Sequence, residues 1–233
     1  MEQIIFTNTL GISLEGREPI PASKMLPSWF KETPSYVNNE KKPDGTGHTT
    51  ATIKKCMPVF DAMTSGYIIS THVDLYLSKL ENGDLNIEAP SMEPLSFHPI
   101  KQAPLLPGIT STTTHLPKWM NPWGIQTPKG YSSLFIAPMH HPNDIFDILP
   151  GVVDTDSYNA PVNFIFKFKD PNFTGIIPAG TPIVQVIPFK RESWEMKFGE
   201  EKELQKIRKT IEIMRSVFFD AYKNKYRQNK EYK

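Results

Sequence analysis

Between Tyr67 and Leu77 apolar and polar positions alternate. Ile69, Val73, Leu75 and Leu77 fall on one side and Ser70, His72 and Asp74 on the other, which predicts a strand with one buried face. Asn82-Gly83 is a hairpin turn signal, and Asp84-Leu85-Asn86-Ile87 then begins a return strand. Further strands are expected over 132–137, over 162–169, with Val162, Phe164, Phe166 and Phe168 on one face, and over 183–189. Short apolar runs separated by Pro, Gly and Asn predict a mainly β barrel or sandwich. The period changes after Phe198-Gly199. Leu204, Ile207, Ile211, Met214, Phe218 and Ala221 are spaced alternately by three and four between Glu200 and Tyr226, which predicts one amphipathic helix of about seven turns. Its apolar stripe requires burial, against the β body or against another subunit.

Composition sharpens this picture. Proline takes 22 of 233 positions, where an average chain has roughly 5%, so the chain cannot be mostly helical. Six prolines between Pro19 and Pro58, with a polar tract over 38–47, predict an irregular N-terminal arm. One short helix is expected in it at 28–31, with Trp29 and Phe30 seeking a groove. The expected organisation is one β-rich domain over 1–198, including the arm at 19–58, and a helical extension over 199–233.

With 26 Lys and Arg against 25 Asp and Glu, no overall field draws the chain to nucleic acid or acidic lipid. Residues 199–233 nevertheless hold ten Lys and Arg against six Asp and Glu. The single cysteine, Cys56, excludes an internal disulfide and a four-thiolate zinc site. Lacking a basic, apolar leader and any run of about 18 apolar residues, the chain is expected to be cytoplasmic, without a membrane partner.

Candidate chemistry lies in the middle of the chain. Thr127-Pro128-Lys129-Gly130-Tyr131 feeds a strand, Gly151-Val152-Val153-Asp154-Thr155-Asp156-Ser157-Tyr158 forms a turn with two carboxylates, and Gly180 to Gln185 leads into an apolar strand. Over 127–189 this order resembles the trimeric dUTP pyrophosphatases and related dCTP deaminases, which share a β-clip fold. The resemblance implies a β-clip-like or related distorted barrel. It also implies a homotrimer by analogy, a water-orienting role for Asp154 beside Asp156, and a sugar platform at Tyr158. A ligand pocket would be completed by Tyr131, Thr155 and Gln185, with Mg²⁺ if a nucleotide is hydrolysed. A carboxylate can polarise a water within hydrogen-bond reach. The chain departs from that pattern at Ser157, an extra residue before Tyr158. It departs again at Ala137-Pro138-Met139-His140-His141, where the family places an arginine-bearing phosphate loop. A broader similarity, over 55–195, is to an uncharacterised family of unknown function, many members of which are encoded by bacteriophages. It implies a host-cell cytoplasmic setting.

His72-Val73-Asp74 puts an imidazole and a carboxylate on one side of the expected strand, and His140 or His141 follows some 67 residues later. Two histidines and a carboxylate suit an open-faced Fe(II) site, similar to the 2-oxoglutarate oxygenases, with Lys167 or Arg191 as the basic residue beyond. Trp29, Trp119 and Trp123 are expected to plug gaps between loops and body. Three functions are therefore expected to compete: a small-molecule or nucleotide binder at the Asp154-Thr155-Asp156 turn, an Fe(II) enzyme using His72, Asp74 and His140 or His141, and a non-catalytic phage structural or host-interaction protein. A homo-oligomer fits each.

Overall fold

The computed structural model describes residues 2–46, 48–81, 85–90, 94–107, 115–217 and 219–233. The expected Asn82-Gly83 turn, Asp84 and Phe218 lie outside the described residues. Among the described residues the chain is mainly β and fully antiparallel, and its strands fall into four sheets, none of them closed on itself.

The first strands are β1 (Ile5–Asn8), β2 (Ile20–Pro21), β3 (Tyr67–Ser70), β4 (Leu75–Lys79), β5 (Leu85–Glu88), β6 (Leu95–Pro99) and β7 (His115–Trp119). They are followed by β8 (Trp123–Gln126), β9 (Tyr131–Ile136), β10 (Phe146–Ile148), β11 (Gly151–Val153), β12 (Phe164–Phe168), β13 (Gly175–Ile177) and β14 (Pro182–Lys190). The largest sheet runs β11-β9-β14-β3-β2, with β10-β12-β7-β6, β13-β4-β5 and β1-β8 beside it. Their apolar faces meet in one core: Ile69, Phe135, Val184 and Val186 from the largest sheet, Leu75, Leu77 and Ile177 from the three-stranded one, and Trp119, Phe146, Phe164 and Phe166 from the four-stranded one. Trp119 stacks on Phe166 at 4.9 Å between ring centroids, so this tryptophan does fill the interior.

The stretch 67–77 is two strands in different sheets, not one. The chain breaks at 71–74 because Thr71 and Asp74 serve the turn at 178–181. Thr71 exchanges backbone hydrogen bonds with Gly180 and Thr181, its hydroxyl donates to Pro178 O at 2.7 Å, and Asp74 Oδ1 accepts from Ala179 N–H at 2.7 Å. Polar side chains that mimic turn partners offer the backbone an alternative to the ladder. The hairpin is present, with β4 paired to β5 from Tyr76↔Glu88 to Lys79↔Leu85.

The Pro-rich arm carries α1 (Ser28–Glu32), where Phe30 is buried and stacks on Phe60 at 6.0 Å. Phe60 belongs to α2 (Met57–Thr64). The C-terminal stretch is two helices, α3 (Glu201–Ser216) and α4 (Ala221–Lys225), instead of one of seven turns. A capping box of Glu200 and Glu203 starts α3, and extended Val217 ends it. Asp220 then sits in the left-handed region at φ 57° with its carboxylate 2.9 Å from Lys55 Nζ, which no continuous helix permits. No helix among the described residues is long and apolar enough to cross a membrane.

Gly66 precedes β3 at φ +71°, and a Cβ there would lie 1.9 Å from Val186 O on β14. Left-handed backbone and close approach both demand glycine. Gly66→Ala is expected to cost on the order of 3 kcal/mol in urea unfolding; an unchanged midpoint would show that β3 and β14 are not held this close.

Candidate functional site

The Asp154-Thr155-Asp156 turn follows β11 and lies over the ends of β9 and β14, because Val153 pairs with Ser133 and Lys190 with Tyr131. Thr155 points inward. It is 1% exposed, and its hydroxyl bonds to those of Thr127 at 2.8 Å and Ser133 at 2.9 Å. This buried hydroxyl chain stitches the turn to the strand below it.

The two carboxylates flank this anchor and differ. Asp156 is held from three directions: its Oδ2 accepts from Gly130 N–H at 2.8 Å, its Oδ1 from Arg191 Nη1 at 2.9 Å, and Arg191 Nη2 completes a fork-to-carboxylate pair. Its side chain is 6% exposed. The Arg191 guanidinium, followed by the Gly130 N–H, drives its carboxyl well below the usual range. Asp154 stands 63% exposed, accepting from Ser132 Oγ at 2.7 Å with Arg191 Nη1 at 3.3 Å. Tyr158 starts from a hydrogen bond of its N–H to Asp154 O at 2.9 Å, and it is 47% exposed. Tyr131 contributes its carbonyl, which accepts from Arg191 Nη1 at 2.9 Å.

A cavity of about 440 Å³ opens beside Asp156, lined by Glu2, Gln3, Gln126, Thr127 and Asn159 among others. Gln126 Nε2 donates to Asn159 Oδ1 at 3.0 Å across this lining. Of the residues the sequence suggests for the site, Asp156 alone lines it; Asp154, Tyr131 and Tyr158 lie outside, and Gln185 is remote in role. Gln185 is fully buried on β14, where its amide serves three backbone groups: it accepts from Met139 N–H at 2.9 Å and donates to Ala62 O at 2.9 Å and Ser65 O at 2.6 Å. Gln185 does not line the cavity beside Asp156. Asp156 secures the turn after β11 to the largest sheet, and Gln185 secures the end of α2 and the loop at Met139 to it.

His72 and Asp74 lie in the bend between β3 and β4 instead of on a strand, and Asp74 is occupied by Ala179 N–H. His140, at φ 61°, offers its carbonyl to Trp29 Nε1 at 2.8 Å, and His141 Nε2 is buried without a partner. Burial pushes both His72 and His141 below the ordinary imidazole value, with Lys31 adding to the effect at His141. Among the described residues no three His, Cys, Asp or Glu side chains are grouped to hold a metal ion.

Two residues that sequence reading passed over carry the local electrostatics. Arg191 appears there only as a distant basic residue, because its partners lie 35 and 37 positions away and meet it through strand register. Asp61, in α2, takes a bidentate contact from Arg227 and a second cation from Lys230, 166 and 169 positions on. No local motif signals either cluster. No protein-family model matches this chain, and curated proteins yield no significant match.

A carboxylate depressed in the folded state adds stability above its unfolded value, near 3.8, and that stability is lost as pH falls through the folded value. Asp156→Asn is therefore expected to lower Tm at pH 7, with the gap to wild type closing as pH falls below about 4. Asp154→Asn, at an exposed position, is expected to move Tm by less than about 2 °C. Equal losses for the two variants in a pH series of thermal melts would contradict this division of roles.

Proposed function

We propose that this protein is a non-catalytic structural or interaction protein that assembles with further copies of itself through the segment leaving β14. The observation that carries the reading is one continuous apolar face without cover. Every residue from 191 to 212 is exposed. In the extended strap before α3, Trp194, Met196 and Phe198 alternate with charged residues and are 87%, 82% and 89% exposed. On α3, Leu204, Ile207, Ile211 and Met214 are 39–56% exposed. Period two runs into period three-four along one arm, the pattern of a surface shaped for burial.

A second copy fits this face in size and charge. Trp194 and Phe198 alone offer on the order of 300–400 Å². With the methionines and the helix stripe, the face approaches the roughly 800 Å² per partner of a standard stable interface. The spacing of Leu204, Ile207, Ile211 and Met214 is a two-heptad seam. Two α3 helices laid antiparallel set Leu204 against Met214 and Ile207 against Ile211 of the second copy. The same alignment brings the acidic first turn, with Glu201 and Glu203, beside the last turn bearing Arg215. Self-complementarity of this kind is what a two-fold interface requires.

The full chain is expected to sediment at twice its monomer mass, and the triple variant Trp194→Ser, Phe198→Ser, Ile207→Ser at monomer mass with the Tm of the body unchanged. Glu201→Lys and Arg215→Glu should each weaken pairing by roughly threefold to tenfold, two exposed ion pairs at about 0.2–1 kcal/mol each, and together restore it. A monomeric wild-type chain overturns the reading.

The cavity beside Asp156 favours a second activity, binding of a small polar molecule, since its volume falls in the usual range of about 300–1,000 Å³ for such sites. The charged groups lining it are the carboxylates of Glu2 and Asp156, so a neutral or cationic ligand suits it better than a triphosphate. Thermal-shift titrations with polyamines, sugars and deoxynucleotides should show stabilisation by the first two classes and not by the third; no shift with any of them removes this activity.

A further inference from the structure

We propose that the C-terminal segment 219–233 docks on the body of the second copy instead of on its own. This rests on the assembly reading above and adds which surface of the partner receives which segment.

The segment is held by a built site on the body. Arg227 Nη2 lies 2.7 Å from Asp61 Oδ1 and Lys230 Nζ 3.0 Å from Asp61 Oδ2, with Asp61 only 9% exposed. Lys55 Nζ is 2.9 Å from Asp220 Oδ1. Tyr36 meets Phe219 edge-on at 6.1 Å, and Tyr67 meets Tyr232 at 6.0 Å while its hydroxyl donates to Lys233 O at 3.2 Å. All of these are contacts between the segment and the body, so they form equally well within one chain or between two.

The connector separates the two arrangements. When the segment returns to its own body, residues 191–216 bridge the gap with their apolar face in water, Ile213 being the one residue among them that is partly covered. When two chains exchange segments, each α3 starts at one body and ends at the other. The pair of helices is then antiparallel by construction, the same alignment that the heptad seam and the end charges favour. Exchange keeps every docking contact and covers the connector, which is the economy of segment swapping in symmetric dimers. The cost is the lost freedom of one chain, set against burial of two apolar faces.

Cross-linking reads this directly. In a Cys56→Ser background, Tyr67→Cys and Tyr232→Cys are joined by a short bismaleimide. Exchange yields a covalent dimer on a denaturing gel, whereas docking on the chain's own body yields an internally linked monomer. The monomer band from a chain that still sediments as a dimer overturns exchange and leaves assembly standing; failure of both means that wild type itself sediments as monomer. Absence of any cross-link, which takes Tyr232 away from Tyr67 in either copy, also overturns exchange. A second measurement mixes the full chains Asp61→Ala and Arg227→Ala/Lys230→Ala by joint refolding. Trypsin release of the C-terminal segment from the Asp61→Ala chain should slow about tenfold in the mixture, since exchange seats its intact segment in the partner's intact site. An unchanged rate contradicts the proposal.

Discussion

The pairing of Arg191 with Asp156 is the contact on which the rest of the molecule's organisation depends. It sits where β14 ends and the chain leaves the body, and the Arg191 backbone N–H also donates to Gly130 O at 2.8 Å. One guanidinium therefore joins the turn after β11, the start of β9 and the root of the arm. Upstream, β14 holds β9 on one side and β3 on the other, so every strand of the largest sheet is aligned relative to this strand. Downstream, residues 191–212 are exposed. The clasp thus marks the boundary between a self-sufficient β body and an arm whose apolar face has no cover in a single chain.

This division changes the meaning of the acidic turn. Two carboxylates near a tyrosine suggest chemistry when read in line, but a carboxylate held by a guanidinium fork and a backbone N–H is a poor proton acceptor at neutral pH. Asp156 is such a group, and Thr155 between the two is consumed in a buried hydroxyl chain. Asp154 accepts from Ser132 and lies beside Arg191, but it faces solvent, where water screens its field. Gln185 is likewise structural. An amide in a sheet interior that satisfies three backbone groups fixes the C-terminal end of α2 at Ala62 and Ser65 and the loop at Met139, and a ligand would compete with those bonds.

Much of the architecture was legible in the sequence wherever periodicity is local. The strands near 132–137, 162–169 and 183–189 formed within one or two residues of expectation, because alternating apolar side chains serve one buried face regardless of distant partners. The helix at 28–31 formed behind its proline for the same local reason. What failed was set by distant groups. The strand at 67–77 broke because Thr71 and Asp74 cap a turn a hundred residues away, and the long helix broke because Lys55 holds Asp220. The Arg191 and Asp61 clusters were invisible for the same reason, since ion pairs across 35 to 169 positions leave no spacing to recognise. The amphipathic stripe of α3 was visible, and so was its need for burial; only the body's failure to supply that burial required coordinates.

The central claim, that the arm is covered by another copy, is most directly tested by hydrogen–deuterium exchange across a dilution series. The account predicts that amides of 201–216 are protected at high protein concentration and lose that protection on dilution, while the β body exchanges at one rate throughout. Rapid exchange of α3 at every concentration would contradict it.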